Sequence, residues 1–394
     1  MYDVGFGDCF LVLVPGRDGN DQKILIDCGS FKAGKNKLAD VVGRLILDVT
    51  DADGVPRVNL LVATHRHKDH IVGFADPRWR RVEVGEVWMP WTESDEPDAK
   101  RVAAAQIAMA TALSGFLQAT NRGEPFDVLG LNAANNETAL KTLRSGFANK
   151  PERRYLPKQG ASTRVVECET LSDVTIQVLG PSRDLKTILD LESHKESYFS
   201  LLRLATIRDP QALEPSQMPE PFGAGWVDDE TVREPLDERT LERLDAIHEG
   251  QAAGVATRLD HALNNTSLVL VISVEDTHLL FPGDAQWGTW SEILADEDAC
   301  RLISRCCFYK VGHHGSHNAT PVSFVEKLLK KNVDKLWAMV PVTEYSNWPK
   351  IPRGPLLDAL KKKADHFVRS DGDRATPGYR WEGDLYVEAA IPIR

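Results

Sequence analysis

The stretch VNLLVATHRHKDH at residues 58–70 decides the expected fold, because an apolar run leads directly into four potential metal ligands. Residues 58–63 have the length and composition of a buried strand. Neutral imidazole and carboxylate groups are common ligands of divalent cations in proteins. We therefore interpret the stretch as a strand that ends in a metal-binding loop. The ligand candidates in this loop are His65, His67, Asp69 and His70.

The spacing of these candidates suggests two neighbouring cation positions. His65 and His67 are two residues apart, so in an extended segment their side chains project to the same side. Asp69 and His70 can then turn towards a second position. The alternative is a solvated turn rich in histidine and aspartate. Three of the chain's 11 histidines fall in this one loop beside an acid, which favours the metal site.

Length and composition are those of a folded protein outside the membrane. The chain has 394 residues, of which 42% are hydrophobic, and this is enough for a substantial core. No run approaches the ~20 apolar residues that span a bilayer, and no signal segment is recognisable. The six cysteines show no Cys-x-x-Cys spacing and are interpreted as reduced. We expect a cytoplasmic protein without membrane contact.

The net charge restricts the expected partners. A formal charge of −11 argues against a general affinity for nucleic acid, although it leaves room for a local basic groove. Arg78, Arg80 and Arg81, with Trp79 between them, could form part of such a groove by charge and stacking. The alternative interpretation of this run is a solvated face.

Two later strand ends also carry potential ligands. Residues 278–284 predict a strand that ends in Gly283-Asp284, and residues 305–311 predict a strand before Gly-His-His-Gly-Ser at 312–316. Three strand-end loops therefore carry candidate ligands.

The loop at 65–70 resembles the His-x-His-x-Asp-His signature of the metallo-β-lactamase superfamily, and the later loops follow the layout of that superfamily. The resemblance implies an α/β (α+β) fold, a four-layer αββα sandwich in which two sheets pack face to face with helices outside. It also implies one or two divalent metal ions, Zn²⁺ or Mn²⁺, with Asp284 as the bridging acid. The implied metal ligands are His65, His67, Asp69, His70, Asp284 and His313.

Within the superfamily, three motifs resemble the hydrolase domain of the bacterial competence DNA-uptake family: residues 3–8, 264–267 and 312–316. Members of that family lack the middle histidine ligand of most two-metal relatives. Here, too, Asn-Asn-Thr-Ser at 264–267 stands in that region. Such an oxygen-rich position would favour manganese or another hard cation over zinc. His261 is the alternative ligand.

The composition changes between residues 183 and 259, where several prolines lie among many acids. We expect one metallo-β-lactamase-like domain over 1–394, with 183–259 as a helical, proline-rich insertion. Such a segment would cap the site or dock a regulatory protein.

The resemblance implies a metal-dependent hydrolase, and the predicted function is a phosphodiesterase or nuclease that cleaves DNA or RNA with a metal-activated water. The alternatives are hydrolysis of a small ester, thioester or lactam, and a partner-regulated effector whose insertion controls activity. Asp69 would accept a proton. His314, His317 and Lys310 are candidates for protonating the leaving alkoxide or for binding a phosphate, and Ser267 and Ser316 could donate hydrogen bonds. The predicted catalytic residues are Asp69, His314, Lys310 and Ser267.

Overall fold

The computed structural model describes residues 1–17, 19–103, 136–189, 262–344 and 351–394. Two large sheets of mixed strand direction, together with helices, form a mixed α/β fold, so the predicted class is confirmed at that level. In these described ranges, no helix is both long enough and apolar enough to cross a bilayer.

The predicted insertion at 183–259 lies outside the described residues except for its start. That start contains a short helix, Leu185–Leu189. The alternative ligand His261 also lies outside the described part of the chain.

Fourteen strands are present in the described ranges. They are β1 (Cys9–Pro15), β2 (Asp21–Cys28), β3 (Arg57–Val62), β4 (Glu83–Pro90), β5 (Glu152–Leu156), β6 (Val165–Val166), β7 (Val174–Gly180), β8 (Val269–Val274), β9 (Thr277–Phe281), β10 (Cys306–Lys310), β11 (Trp337–Val340), β12 (His366–Arg369), β13 (Arg380–Glu382) and β14 (Tyr386–Glu388).

The helices of the described ranges are mostly short. They include the α-helices α1 (Leu38–Asp48), α2 (Lys68–Ile71), α3 (Glu137–Ser145), α4 (Leu185–Leu189), α5 (Trp287–Ala295), α6 (Glu297–Ile303) and α7 (Gly354–Lys363). Four 3₁₀ segments lie at Val72–Ala75, Pro77–Arg81, Trp91–Glu93 and Gly312–Gly315, and a π-helical turn lies at Phe324–Leu328.

The first sheet has the strand order β1-β2-β3-β4-β5. β1 and β2 are antiparallel, whereas β2 to β5 run parallel. The second sheet has the order β12-β11-β10-β9-β8-β7-β6, with β9 to β12 parallel and the remaining pairs antiparallel. Loops that follow parallel strands leave a sheet at the same edge. The loops after β9 and β10 therefore start side by side.

One apolar cluster joins the two sheets. Ile26 and Val62 of the first sheet belong to it together with Leu270 and Phe281 of the second. The next residues along these strands point the other way, because side chains alternate in a strand. Leu61 thus packs in a cluster with α1 and α3, and the second sheet packs against α5, α6 and α7. Burial on both faces explains why every residue of β8 except Ser273 is apolar.

Asp3 is a buried carboxylate near the start of the chain. It is 3% exposed, and its Oδ1 accepts a hydrogen bond of 3.2 Å from the N–H of Gly5. Burial raises the pKa of the Asp3 carboxyl to about 6, although the Gly5 N–H lowers it. The folded state therefore binds this proton more tightly than the unfolded chain does. This carboxyl stabilises the fold at low pH, and the contribution is lost as the pH rises towards 6 and above.

We expect Asp3→Asn to raise the melting temperature at pH 8 by about 2–5 °C, because the amide keeps the acceptor for Gly5 without a buried charge. At pH 4.5 the variant and the wild type should melt at similar temperatures. Asp95→Asn, at a fully exposed carboxylate, serves as the control and should show no such pH dependence. Equal gains at both pH values would contradict the assignment to Asp3. Differential scanning calorimetry measures the effect.

Candidate metal centre

The ligand loop after β3 is held by its backbone and by Asp27. The N–H and Oγ1 of Thr64 both donate to the Asp27 carboxylate at 2.7 Å. The carbonyl of Asp69 accepts from the N–H of Asp8 at 2.9 Å. Gly29 lies against the same turn, where a Cβ would come within 2.3 Å of the Asp69 carbonyl carbon. These contacts fix the direction in which the side chains of 65–70 point.

Four buried side chains from three distant loops meet at one point. Each of Asp69, His70, Asp284 and His314 offers one donor atom, and these atoms lie within 4.8 Å of one another. The Nε2 of His70 lies 3.0 Å from Asp284 Oδ2, and the Nε2 of His314 lies 2.9 Å from Asp69 Oδ2. None of the four is more than 3% exposed. Residues separated by more than 200 positions therefore form one polar cluster.

The donor set fits a divalent cation. Two carboxylates and two imidazoles are suitable ligands for zinc and for manganese. Two polar atoms beside the cluster, Asp69 Oδ1 and His313 Nδ1, are buried without a hydrogen-bond partner among the described residues. Unpartnered buried polar atoms are costly in a folded protein, and a bound ion or ordered water at this point would satisfy them. The buried groups of the structure could thus hold a metal ion.

His70 is oriented by a second carboxylate. Its Nδ1 lies 2.7 Å from Asp27 Oδ2, while its Nε2 faces Asp284. A carboxylate on the far nitrogen of a metal-binding histidine fixes the tautomer and the ring orientation. The sequence analysis did not identify Asp27. Its position at the end of an apolar run, directly before Cys28-Gly29-Ser30, is the signal in the sequence that could have found it.

Lys310, predicted as catalytic, lies inside the cluster. It is 2% exposed, and its Nζ donates to the carbonyl of Gly283 at 3.0 Å and to Asp284 Oδ1 at 3.1 Å. It also forms an ion pair with Asp8 Oδ2. Burial lowers the pKa of Lys310, but Asp8 and Asp284 outweigh it and raise the pKa above its usual value. The side chain is therefore a fixed ammonium.

The two histidines of the Gly-His-His-Gly turn face different partners. Both His313 and His314 have left-handed backbone angles, with φ of 47° and 52°. The imidazole of His314, predicted as catalytic, joins the four-residue cluster and contacts Pro341 O at 2.8 Å through Nδ1. His313, predicted as a ligand, donates its backbone N–H to Asp284 Oδ1 at 3.0 Å. The geometry therefore adds His314 to the candidate ligands.

His65 and His67 contact each other beside the cluster. The Nε2 of His65 lies 3.0 Å from the Nδ1 of His67, and the Nδ1 of His65 lies 3.2 Å from Ser267 Oγ. Ser267, predicted as catalytic, is fully buried and accepts a 3.1 Å hydrogen bond from the N–H of Asp284. It thus connects two ligand loops. Ser316 is also buried and donates to Asn318 Oδ1 at 2.9 Å.

Burial and charge divide the histidines into two classes. Burial lowers the pKa of His65 well below its usual range and that of His67 to about 4, so both are neutral at pH 7. Burial also disfavours the cation of His70, but Asp284 and the other nearby carboxylates raise its pKa well above the usual range. Burial opposes ionisation of Asp69, yet His70 and His314 hold its pKa well below normal. The ionised carboxylates thus favour positive charge at the position of His70.

The prediction that Trp79 helps to form a stacking groove after the metal loop is wrong. Trp79 is fully buried, and its Nε1–H donates to Gly73 O at 2.9 Å. A ring inside the core cannot stack on bases. Arg78 is tied to Asp76 by an ion pair of 2.6 Å, whereas Arg80 and Arg81 are exposed.

The described site therefore brings together most of the predicted residues and two acids without a predicted role, Asp8 and Asp27. In such a cluster, buried carboxylates can bind a cation and accept a proton, and imidazoles can bind the same cation through a neutral nitrogen. A search of protein-family models found none that matches the chain, and a search of curated proteins found no match.

Proposed function

We propose that this protein is a metal-dependent hydrolase of the metallo-β-lactamase superfamily, and that it cleaves phosphodiester bonds in DNA or RNA. One observation carries the hydrolase assignment: Asp69, His70, Asp284 and His314 converge from three strand-end loops into one buried cluster. Packing alone does not explain why these four polar side chains are buried together, because the burial of a polar or charged group costs free energy unless a partner compensates it.

The arrangement of the sheets supports the superfamily assignment. Two sheets share one apolar cluster, and each has helices packed against its other face. This is compatible with the proposed four-layer αββα sandwich. The ligand loops follow β3, β9 and β10, so the proposed centre lies at strand ends, as the resemblance implies.

In the proposed reaction, the residues of the cluster bind the metal ion and accept a proton from the water. Asp69, His70, Asp284 and His314 would hold the ion, and a divalent ion supplies a water whose pKa is lowered to ~7. Asp69 Oδ1 has no hydrogen-bond partner among the described residues and can accept a proton from the attacking water. His67, which is neutral because burial lowers its pKa to about 4, lies beside this point as a polar contact for substrate.

The phosphodiester substrate rests on the motifs at residues 3–8, 264–267 and 312–316, which resemble the competence-type hydrolase domain. A second candidate is hydrolysis of a small ester, thioester or lactam. The formal charge of −11 favours it, since an acidic protein repels a polyanion. Arg80 and Arg81, both exposed, are the basic residues next to the ligand loop that could offset this repulsion locally.

The experiment uses protein stripped with a chelator and then supplied with Mn²⁺ or Zn²⁺. It is incubated with end-labelled single- and double-stranded DNA and RNA, and separately with carboxylic esters, thioesters and lactams. Metal-dependent cleavage of a nucleic acid is the expected result. Hydrolysis of esters alone would replace the proposed substrate with the second candidate. Absence of hydrolysis in every metal would contradict a metallohydrolase.

A further inference from the structure

We propose that the centre binds a single divalent ion and that the side chain of Lys310 occupies the position of a second cation. This inference rests on the proposed function. It makes Lys310 a positioning residue, in place of the acid or phosphate-binding group that the sequence predicted.

The first step concerns the two oxygens of Asp284. Oδ2 faces the four-residue cluster, 3.0 Å from His70 Nε2. Oδ1 faces the other way and accepts from Lys310 Nζ at 3.1 Å and from the N–H of His313 at 3.0 Å. A carboxylate can bridge two metal ions with one oxygen on each ion or with a single oxygen that both ions share. The first mode is blocked here, because Oδ1 already has two donors, one of them a buried cation.

The second step concerns the number of hydrogen bonds that Lys310 can donate. An ammonium has three N–H donors. Lys310 has three acceptors, namely Gly283 O, Asp284 Oδ1 and Asp8 Oδ2. No donor is left for a phosphate or a leaving group. A second divalent ion at Asp284 Oδ1 would lie next to this ammonium, and like charges repel strongly at such distances in a buried site.

The third step concerns His65 and His67, the predicted ligands of the other ion. Their rings contact each other through His65 Nε2 and His67 Nδ1 at 3.0 Å. Within the described ranges, neither belongs to a group of three or more potential ligands whose donor atoms lie within 4.8 Å. A tight structural or catalytic site for a divalent ion needs at least three protein ligands. The pair is therefore too small a ligand set by itself, and among the described residues Asp284 does not complete it, because His65, His67 and Asp284 do not form such a group.

The remaining group of potential ligands, Asp8, Asp27 and His70, shares its histidine with the proposed centre. His70 reaches Asp284 through Nε2 and Asp27 through Nδ1. A neutral imidazole offers one lone pair, so a histidine that binds an ion through Nε2 carries its proton on Nδ1. That proton is donated to Asp27. This group therefore supports the first ion and does not bind another.

The test counts bound metal directly. Chelator-stripped full-length protein is dialysed against Mn²⁺, and the ion-to-protein ratio is measured by elemental analysis, with electron paramagnetic resonance to detect coupled ion pairs. We expect one ion for each chain and an uncoupled spectrum. Two ions with a coupled spectrum would overturn the inference and leave the proposed hydrolase standing. No bound ion would overturn the proposed function itself.

A matched pair of histidine variants separates the two sides of the centre. His67→Ala is expected to keep one ion with an affinity within about threefold of wild type, because His67 is outside the ligand set. His314→Ala is expected to bind the ion about 100-fold more weakly or not at all, because a ligand is removed. If His67→Ala loses an ion, the inference is wrong. Circular dichroism confirms that each variant is folded, and Asp69→Asn replaces His314→Ala if that variant does not fold.

Variants of Lys310 test whether its side chain excludes a second metal ion. Lys310→Ala leaves Asp8, Asp284 and the Gly283 carbonyl facing a small space lined by oxygen, which a hard cation such as Mn²⁺ prefers. We expect this variant to bind a second Mn²⁺ and to show a coupled spectrum. Lys310→Arg keeps the charge and should still bind one ion. A Lys310→Ala protein that is folded and binds one ion would contradict the role given to the ammonium.

Discussion

Asp69→Asn is expected to lower metal-dependent hydrolysis by at least about 10³-fold, because the change removes a ligand charge and a proton acceptor together. Asp69 Oδ2 contacts His314 Nε2 at 2.9 Å, and Oδ1 is buried without a partner among the described residues. Asparagine has nearly the same shape, so the packing of the loop is retained. The measurement is kcat/KM at saturating metal, using whichever substrate the wild type hydrolyses.

The control for this variant is Asp76→Asn, six residues after the ligand loop. Asp76 also pairs with a cation, Arg78 at 2.6 Å, but it does not belong to the cluster. Its activity should stay within about twofold of wild type, because asparagine can still cap the 3₁₀ segment Pro77–Arg81 and no residue of the cluster is changed. Thermal melting of both variants separates loss of chemistry from loss of fold. A folded Asp69→Asn protein with more than a tenth of wild-type activity would contradict the proposed centre.

The regular elements could be predicted where the local pattern determines them. Leu38, Val41, Val42 and Leu45 recur at helical spacing, and α1 indeed covers Leu38–Asp48. The apolar run 58–63 likewise coincides with β3. The helix has one buried face and the strand is buried on both faces. Both patterns follow directly from the order of the apolar residues, so no knowledge of distant contacts is needed.

Strand β5 could not be predicted in this way, because its first residues are charged. Glu152, Arg153 and Arg154 lack an apolar face, and the strand is stabilised from outside by pairing with β4. Glu86 on β4 is 1% exposed and forms an ion pair of 3.0 Å with Arg154. Such a strand depends on pairing with residues 66 positions earlier in the sequence, which periodicity does not reveal.

In the candidate site, too, some residues could be predicted from the local sequence and others could not. The loop 65–70 follows from a local cluster of ligand types, but the choice between His313 and His314 does not. Both histidines stand between glycines, and the left-handed backbone at both positions decides that the ring of His314 enters the cluster. Left-handed angles at residues other than glycine are uncommon and are kept by surrounding contacts. Here the N–H of His313 donates to Asp284, which holds the turn.

Asp27→Asn is expected to weaken metal binding by about 10–100-fold, although Asp27 lies outside the proposed ligand set. The Asp27 carboxylate accepts from His70 Nδ1 at 2.7 Å and from Thr64 through its N–H and Oγ1. Loss of the charge makes Nδ1–H a less favoured tautomer, so Nε2 is a poorer donor to an ion. Asparagine tolerates the left-handed backbone at this position, where φ is 58°, and so leaves the turn intact.

Thr64→Val provides the graded comparison, since it removes one hydrogen bond to Asp27 and keeps the carboxylate. We expect it to weaken binding by only about threefold, in line with the net contribution of a single hydrogen bond. The dissociation constant for Mn²⁺ is measured by competition with a chelator. If Asp27→Asn binds the ion as tightly as wild type while Asp69→Asn does not, then His70 does not need its carboxylate partner. The ring would in that case be oriented by the ligand loop alone.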